Sequence, residues 1–527
     1  MAKERHVAIY DSILRDGAQA QRISFSVDDK IKIARELDRM GVDYIEAGNP
    51  GSNPKDLEFF SRADGLGLQH ARLSAFGSTR RAGVAVQDDG NVQNLLKANT
   101  PCVAVFGKSW DFHVTDILKT TLEENCAMIA DTIAYLKSHG KEVVFDAEHF
   151  FDGYKHNAGY AMKTLAAAAG AGADFLVLCD TNGAAFPDEI SRMVSEAAAA
   201  FPGKIGIHCH NDCGMAVANS ILAVQAGAVQ VQGTFTGYGE RCGNANLSTV
   251  IANLQLKLGY DVIGDAIHQL TPAAYRINDI SNVKLDRSMP YVGSGAFAHK
   301  GGMHIDAVCK APQSFEHIDP AAVGNERRLL VSEVSGKSMV YQRVHKLFPD
   351  VAKDSEEVRR ITGQLKELEH QGYQFEGADG TVELIIRKAV GKYAPLFTLN
   401  HFKTIGENKA KDNPSTALIS ISVDGRSEIT AAEGDGPVNA LDKALRKALE
   451  VFYPQIKHVR LLDYKVRVIN TQGTASTVRV LIESTDGKTS WTTVGVSTDI
   501  IKASWTALVD SMEYKLIKDM EQLMGGR

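Results

Sequence analysis

The segment His208-Cys209-His210-Asn211-Asp212 carries the strongest chemical signal in this sequence. On a strand, residues two apart point to the same side, so His208 and His210 can grip one ion together. A metal site needs more ligands than two imidazoles. Asp16, in Leu14-Arg15-Asp16-Gly17, is the natural third, and Asn244, in Gly239-Glu240-Arg241-Cys242-Gly243-Asn244, could add an amide oxygen. Nitrogen and oxygen donors with open positions suit a Lewis-acid ion such as Mg²⁺, Mn²⁺ or Zn²⁺, and the residue types do not choose among them. Taken alone, an Arg-Asp turn is a solvated salt bridge. What gives these residues weight is where the fold must put them.

Apolar β-rich runs at 7–11, 44–48, 72–77, 102–107, 142–148, 175–180, 205–210 and 229–234 alternate with amphipathic stretches rich in Ala, Leu and Lys, among them 27–40, 122–138, 158–170, 187–200 and 215–226. Glycines such as Gly41, Gly170 and Gly172 stand where helices should end. Eight βα units in about 250 residues predict a (β/α)₈ TIM barrel. An open doubly wound sheet would put a glycine-rich phosphate loop after its first strand, and here that place holds a charged turn. Barrel active sites lie at the C-terminal ends of the strands. His208 and His210 end the seventh strand, Asp16 follows the first and Asn244 follows the eighth, so all four converge on that end.

The class is α/β with an appended α+β domain. The barrel should occupy 1–274 as the catalytic domain. A looser region with small helices, 275–400, should act as a linker whose parts contribute to the active site. Beyond it, 401–527 alternates like half-buried strands at 417–423, 464–469 and 477–482. Strand-like 427–432 leads into helix-like 438–449, and strand-like 490–496 into helix-like 500–516. This internal repeat suggests a separate regulatory or dimer-forming domain. At 527 residues, 44% hydrophobic, 23% charged and a net charge of −6, the composition suits a soluble globular protein and gives no reason to expect nucleic acid or an anionic membrane as partner. The start, Met1-Ala-Lys-Glu-Arg-His6, does not read as a secretory signal, and no apolar run is long enough to span a bilayer. Seven cysteines, none in a CxxC pair, read as reduced thiols in the cytoplasm.

Three segments, 14–19, 208–214 and 237–247, resemble hallmarks of the 2-isopropylmalate synthase, homocitrate synthase and citramalate synthase superfamily, whose barrel and part of whose metal motif are shared by HMG-CoA lyase and the transcarboxylase domain of pyruvate carboxylase. The likeness continues through Phe297-Ala298-His299-Lys300-Gly301-Gly302-Met303-His304-Ile305-Asp306 and through Glu433-Gly434-Asp435-Gly436-Pro437-Val438 in the regulatory domain of those synthases. Within the group, 24–30, 51–56, 145–154 and 316–320 look like the long-form citramalate synthases.

That resemblance implies a Claisen-type condensation of acetyl-CoA with pyruvate, giving (R)-citramalate and CoA on a route to isoleucine. It implies a divalent metal on Asp16, His208 and His210 with Asn244 nearby. Arg15 would face the developing oxyanion, Gln19 would hold that corner and Thr181 would bind the substrate carboxylate. His304, with Glu148, would take the proton from the acetyl methyl; His299 is close in sequence and easily confused with it. The resemblance also implies a homodimer and an isoleucine site in the tail. Phe315 and Asn49 stand where such synthases commonly carry tyrosine and tryptophan. With 2-oxoisovalerate as the acid the chain would be a 2-isopropylmalate synthase instead. A metal-dependent acyl-CoA lyase, or an amino-acid sensor with a dead barrel, is more distant.

Overall fold

A computed structural model of the chain describes residues 5–330, 337–375, 377–406, 415–470, 473–487 and 489–525. Residues 1–4, on which part of the N-terminal reading rests, lie outside them, as do short stretches of the 275–400 and 401–527 regions. The chain divides into two compact units. The first reaches Phe297 and takes in Ile318–Glu326; the second comprises Ala298–His317 and the residues from Arg327 on.

In the first unit eight parallel strands close into a barrel in sequence order. They are β1 (Ala8–Asp11), β2 (Tyr44–Gly48), β3 (Arg72–Ser78), β4 (Cys102–Lys108), β5 (Glu142–Glu148), β6 (Phe175–Asp180), β7 (Ile205–Cys209) and β8 (Gln230–Gly233). Closure is made by β1 on β8, with Ala8 opposite Gln230 and Asp11 opposite Gly233. Alternation sorts the side chains. Ile9, Ile45, Val103, Phe145, Ile207 and Val231 join the large core that the helices cover. Ala8, Tyr10, Tyr44, Cys102, Ala104, Val144, Val177 and Cys179 form a small second core from alternate positions of the same strands. Fully burying an aliphatic side chain of this kind contributes about 1.5–3 kcal/mol, so the two-sided strands are the main glue.

The helices are defined locally as well as by packing. Val27–Arg39 starts at a capping box: Ser26 Oγ accepts from the Asp29 N–H and the Asp29 carboxylate accepts from the Ser26 N–H. It ends at Met40, followed by Gly41 at φ +73°, a left-handed position that suits glycine. Gly170, expected as a cap, is the last residue of the helix Phe150–Gly170, and Gly172 takes the positive φ. The helix Leu270–Ile280 runs across the boundary expected at 274/275.

In the second unit, helices Gly302–Lys310, Glu356–His370 and Asp379–Val390 share one core around Ile305, Ile361, Leu365 and Val382. The tail holds two antiparallel three-stranded sheets. The strands Thr398–Gly406, Ser415–Val423 and Arg426–Gly434 are followed by the helix Pro437–Glu450; Arg460–Val468, Val478–Thr485 and Ser490–Ser497 are followed by the helix Ile500–Gly525. The repeat is visible in single bonds: Thr430 Oγ1 donates to the Ala444 carbonyl and Thr493 Oγ1 to the Ala507 carbonyl, each spanning fourteen residues. The first copy has one strand more than its sequence suggested. Thr398–Gly406 is an edge strand with most of its side chains in solvent, so it lacks an apolar alternation. All seven cysteines are free thiols. No helix among the described residues is long and apolar enough to cross a membrane.

Candidate active site

The C-terminal end of the barrel gathers the chemistry. His208 is the fourth residue of β7 and His210 follows its last, with Cys209 between them turned into the core. Asp16 sits in the turn after β1, where the Asp16 and Gly17 N–H groups both donate to the Ser12 carbonyl. The turn is tight: a Cβ on Gly17 would lie 2.9 Å from Ile13 Cγ1. Asp16 Oδ2 is 3.8 Å from His208 Nε2 and 4.0 Å from His210 Nε2. All three residues are buried. Among the described residues they are the one set of three His, Cys, Asp or Glu groups with ligand atoms close enough to share a metal ion.

Several details fit these residues to a cation. His208 Nδ1 lies 3.1 Å from Gln232 Oε1, while Gln232 Nε2 donates to Asp146 Oδ1 at 3.0 Å. That chain puts the imidazole proton on Nδ1 and leaves the Nε2 lone pair toward Asp16, the supporting hydrogen bond that orients metal-ligating histidines. Buried His210 Nδ1 and Asn244 Oδ1 have no hydrogen-bond partner among the described residues, and such orphans cost about 1–3 kcal/mol each. Asn244 donates its Nδ2 hydrogens to Asp16 Oδ1 at 2.9 Å and to the Tyr238 carbonyl at 3.0 Å. Its nitrogen, rather than the expected oxygen, therefore faces Asp16, and a half-turn of the amide would exchange them.

Electrostatics agree. Burial works against the Asp16 charge, but Arg15, His208, His210 and the Asn244 amide outweigh it and hold its carboxyl at about 2. Burial, with the neighbouring His210, pushes His208 down to about 3, and burial lowers His210 as well. Near neutral pH the site is thus one carboxylate and two neutral imidazoles, the protonation that metal binding requires.

Arg15 stands beside them. Its Nε donates to Glu46 Oε1 at 2.5 Å and its Nη1 to Asp16 Oδ2 at 2.9 Å, and its guanidinium lies 3.8 Å over the Phe76 ring. Nη2 takes no hydrogen bond among the described residues, so a fixed cation keeps one donor pair uncommitted. Arg15, Asp16, Gln19, Glu148, Thr181, His208 and His210 all line one cavity of about 220 Å³, walled by Phe76, Phe106, Asp146, Cys179, Glu240 and Arg241. Thr181 Oγ1 accepts the His149 N–H at 2.9 Å, which leaves its own hydroxyl hydrogen free to donate. Glu148 is ion-paired with Lys108.

His304 belongs to the second unit. There its exposed ring stacks on Phe315, centroids 4.1 Å apart. His299 differs: it is tied to Glu316 at 3.1 Å, and Glu316 also takes a bidentate pair from Arg327 at 2.7 and 2.6 Å. Sequence reasoning missed Glu46, Asp146, Gln232, Lys108, Phe76, Phe106 and Arg241. Glu46, Asp146 and Gln232 had a signal, a polar residue at an alternate position of a buried strand.

Family profiles cover most of the chain. One described as HMGL-like matches residues 6–281, one described as homocitrate synthase post-HMGL domain-like matches 291–373, and the LeuA allosteric (dimerisation) domain matches 376–516. The (R)-citramalate synthase of Aquifex aeolicus is 51% identical over 521 residues, 98% of this chain and 99% of its own. That of Geobacter sulfurreducens is 49% identical over 521 residues, 98% of both chains. The chain belongs to the (R)-citramalate synthase family. A probable 2-isopropylmalate synthase of Methanopyrus kandleri stands further off, 32% identical over 506 residues, 95% of this chain and 97% of its own.

Proposed function

We propose that this chain makes (R)-citramalate from acetyl-CoA and pyruvate, with Asp16, His208 and His210, and Asn244 beside them, as the site of a divalent ion (Mg²⁺, Mn²⁺ or Zn²⁺). The observation that carries the reading is the single cavity in which this trio, the anchored Arg15 and Thr181 face one another, in a chain that matches citramalate synthases over 98% of its length. When bound, the ion would polarise the keto group of the acid and offset the negative charge that develops on its oxygen.

The residues take the remaining tasks. Thr181 donates its hydroxyl to the pyruvate carboxylate. Arg15 Nη2 meets the keto oxygen as it gains charge, where a guanidinium already fixed by two carboxylates needs no reorganisation. Gln19 borders the same corner. Glu148, with His304 from the 275–400 region, removes a proton from the acetyl methyl. That carbon bonds to the keto carbon of pyruvate, the keto oxygen takes up a proton, and water cleaves the thioester to a carboxylate and the CoA thiol. Residues 1–274 then form the catalytic domain. Residues 401–527 form a regulatory domain that pairs two copies and binds isoleucine as feedback inhibitor. The enzyme works in the cytoplasm, without nucleic acid or membrane partners.

The test follows thiol release from acetyl-CoA with metal-loaded protein, offering pyruvate, 2-oxobutyrate, 2-oxoisovalerate and glyoxylate in turn. Preference for pyruvate, lost with chelator, is the expected result. Preference for 2-oxoisovalerate would keep the mechanism and change the product. No turnover with any acid would remove the condensation itself.

A further inference from the structure

Arg241 has no task in the chemistry above, yet it is held in an unusual way. It follows β8 and lines the cavity. Its backbone adopts φ +54°, a left-handed conformation that strains a non-glycine residue. Its side chain spends its donors on two other loops. Nε and Nη2 donate to Asp212 Oδ1 and Oδ2 at 2.8 and 2.9 Å, a bidentate fork, and Nη2 also donates to the Thr181 carbonyl at 2.8 Å. Asp212 is two residues past His210, and Arg241 is three before Asn244.

Three loops therefore meet on one guanidinium. Backbone contacts already join two of them: the Asn211 N–H donates to the Gly243 carbonyl at 2.9 Å, and His210 pairs with Asn244. The Thr181 turn comes very close to the same place, since a Cβ on Gly183 would lie 2.5 Å from Asp212 Oδ2. Thr181 is thus pinned on both sides, its hydroxyl oxygen by the His149 N–H and its carbonyl by Arg241. Only the planar fork of an arginine can serve both carboxylate oxygens and a third acceptor in one plane; a lysine ammonium cannot reproduce it.

We propose that Arg241 is a positioning residue: by tying Thr181 to the loop that carries His210, it fixes the gap across which the carboxylate and keto ends of the 2-oxo acid must bind. This rests on the roles given to Thr181 and His210 under the proposed function. The strained backbone is kept because the loop must present the fork at that spot.

The test compares wild type with Arg241→Met, Arg241→Lys and Asp212→Leu in the full-length, metal-loaded protein. Circular dichroism and metal content by elemental analysis check that each variant is folded and loaded. Arg241→Met should raise KM for pyruvate by 10- to 100-fold and weaken pyruvate binding in calorimetry equally, with KM for acetyl-CoA within about twofold. Arg241→Lys should recover only part of the loss. Asp212→Leu should resemble Arg241→Met, and the double variant should be no worse than either single. Arg241→Met with unchanged pyruvate KM, or with both KM values raised together, would overturn the positioning role while leaving the enzyme's function intact. A wild-type protein that neither binds pyruvate nor releases thiol would remove the functional reading and this inference with it.

Discussion

Inside the barrel, Asp16, Glu46, Asp146, His208 and Gln232 are all nearly inaccessible to solvent, stacked in one polar file that Arg15 crosses. The core of the tail is built from Ile419, Ile421, Leu441, Leu445, Ile482 and Leu508, and most of its buried polar groups are small hydroxyls bonded to nearby carbonyls or to each other. Burial raises Glu46 against the pull of Arg15, and pushes Asp146 up to about 8 with Glu46 adding to it. A fold that only had to be stable would fill those positions with apolar side chains, since ionisable groups out of water are costly unless fully paired. The barrel accepts that cost in a whole file of groups at one end; the tail does so far less, with Glu513 buried and Asp510 partly buried beside an apolar core. Buried charge with unused donors marks the chemical end of the molecule, and the apolar, repeated core marks a part selected for shape.

The largest expected difference between the two regions comes from truncating one residue in each. His208→Ala should cut thiol release by about 10³-fold or more, because under the proposed function it removes a metal ligand and the Lewis-acid chemistry with it, while circular dichroism shows the barrel still folded. Leu445→Ala, from the fully buried face of the helix Pro437–Glu450, should destabilise the tail by about 2–5 kcal/mol in urea unfolding. Turnover per folded molecule, measured without isoleucine, should fall by less than tenfold. Were the Leu445 variant to lose turnover as fully as the His208 variant, the division between a chemical and a structural core would be wrong.

A narrower contrast lies within the barrel. Gln232→Leu removes the acceptor that holds the His208 proton on Nδ1, and metal affinity measured by calorimetry should drop by about 10- to 100-fold. Gln232→Glu, which keeps an acceptor there, should lose less. Equal affinities in all three proteins would show that Gln232 does not set the imidazole tautomer.

How much of this was legible depended on the length scale of the cause. The barrel was readable because period-two and helical periodicities repeat through the first half of the chain, and His208 and His210 because two residues on one strand face share a side. Glu46 in Tyr44-Ile45-Glu46-Ala47-Gly48, and Asp146 two residues before Glu148, obey the same rule. They went unread because an acid on a strand is a weak signal until its partners across the barrel are known. Arg241 was hidden for another reason: its partners Thr181 and Asp212 lie on different loops, and only the closed barrel makes them neighbours. The edge strand Thr398–Gly406 left no pattern because solvent, not a core, faces most of it.

The smallest effect separates the two regions by sign. In the metal-free barrel, His208 is lowered by burial from 6.5 to about 3, so the unfolded chain takes up its proton first and this group erodes stability as pH falls from about 6.5 toward 3. In the second unit, Asp510 is partly buried with Thr381 Oγ1 donating to it at 3.1 Å, and burial raises its carboxyl from 3.8 to about 6. Here the folded state binds the proton first. The stabilisation is fully present below about 3.8 and is lost as pH rises through about 6. Between pH 7 and pH 5, Asp510 should therefore add about 1 kcal/mol of stability while His208 removes some. The measurement is urea unfolding at both pH values, with and without Asp510→Asn, in a Trp110→Phe background so that Trp491 and Trp505 report on the tail. Wild type should gain on the variant by about 1 kcal/mol on acidification. A difference that stays constant between the two pH values would mean that Asp510 is ionised alike in folded and unfolded chains, and the tail would then differ from the barrel only in what it buries, not in how it answers to protons.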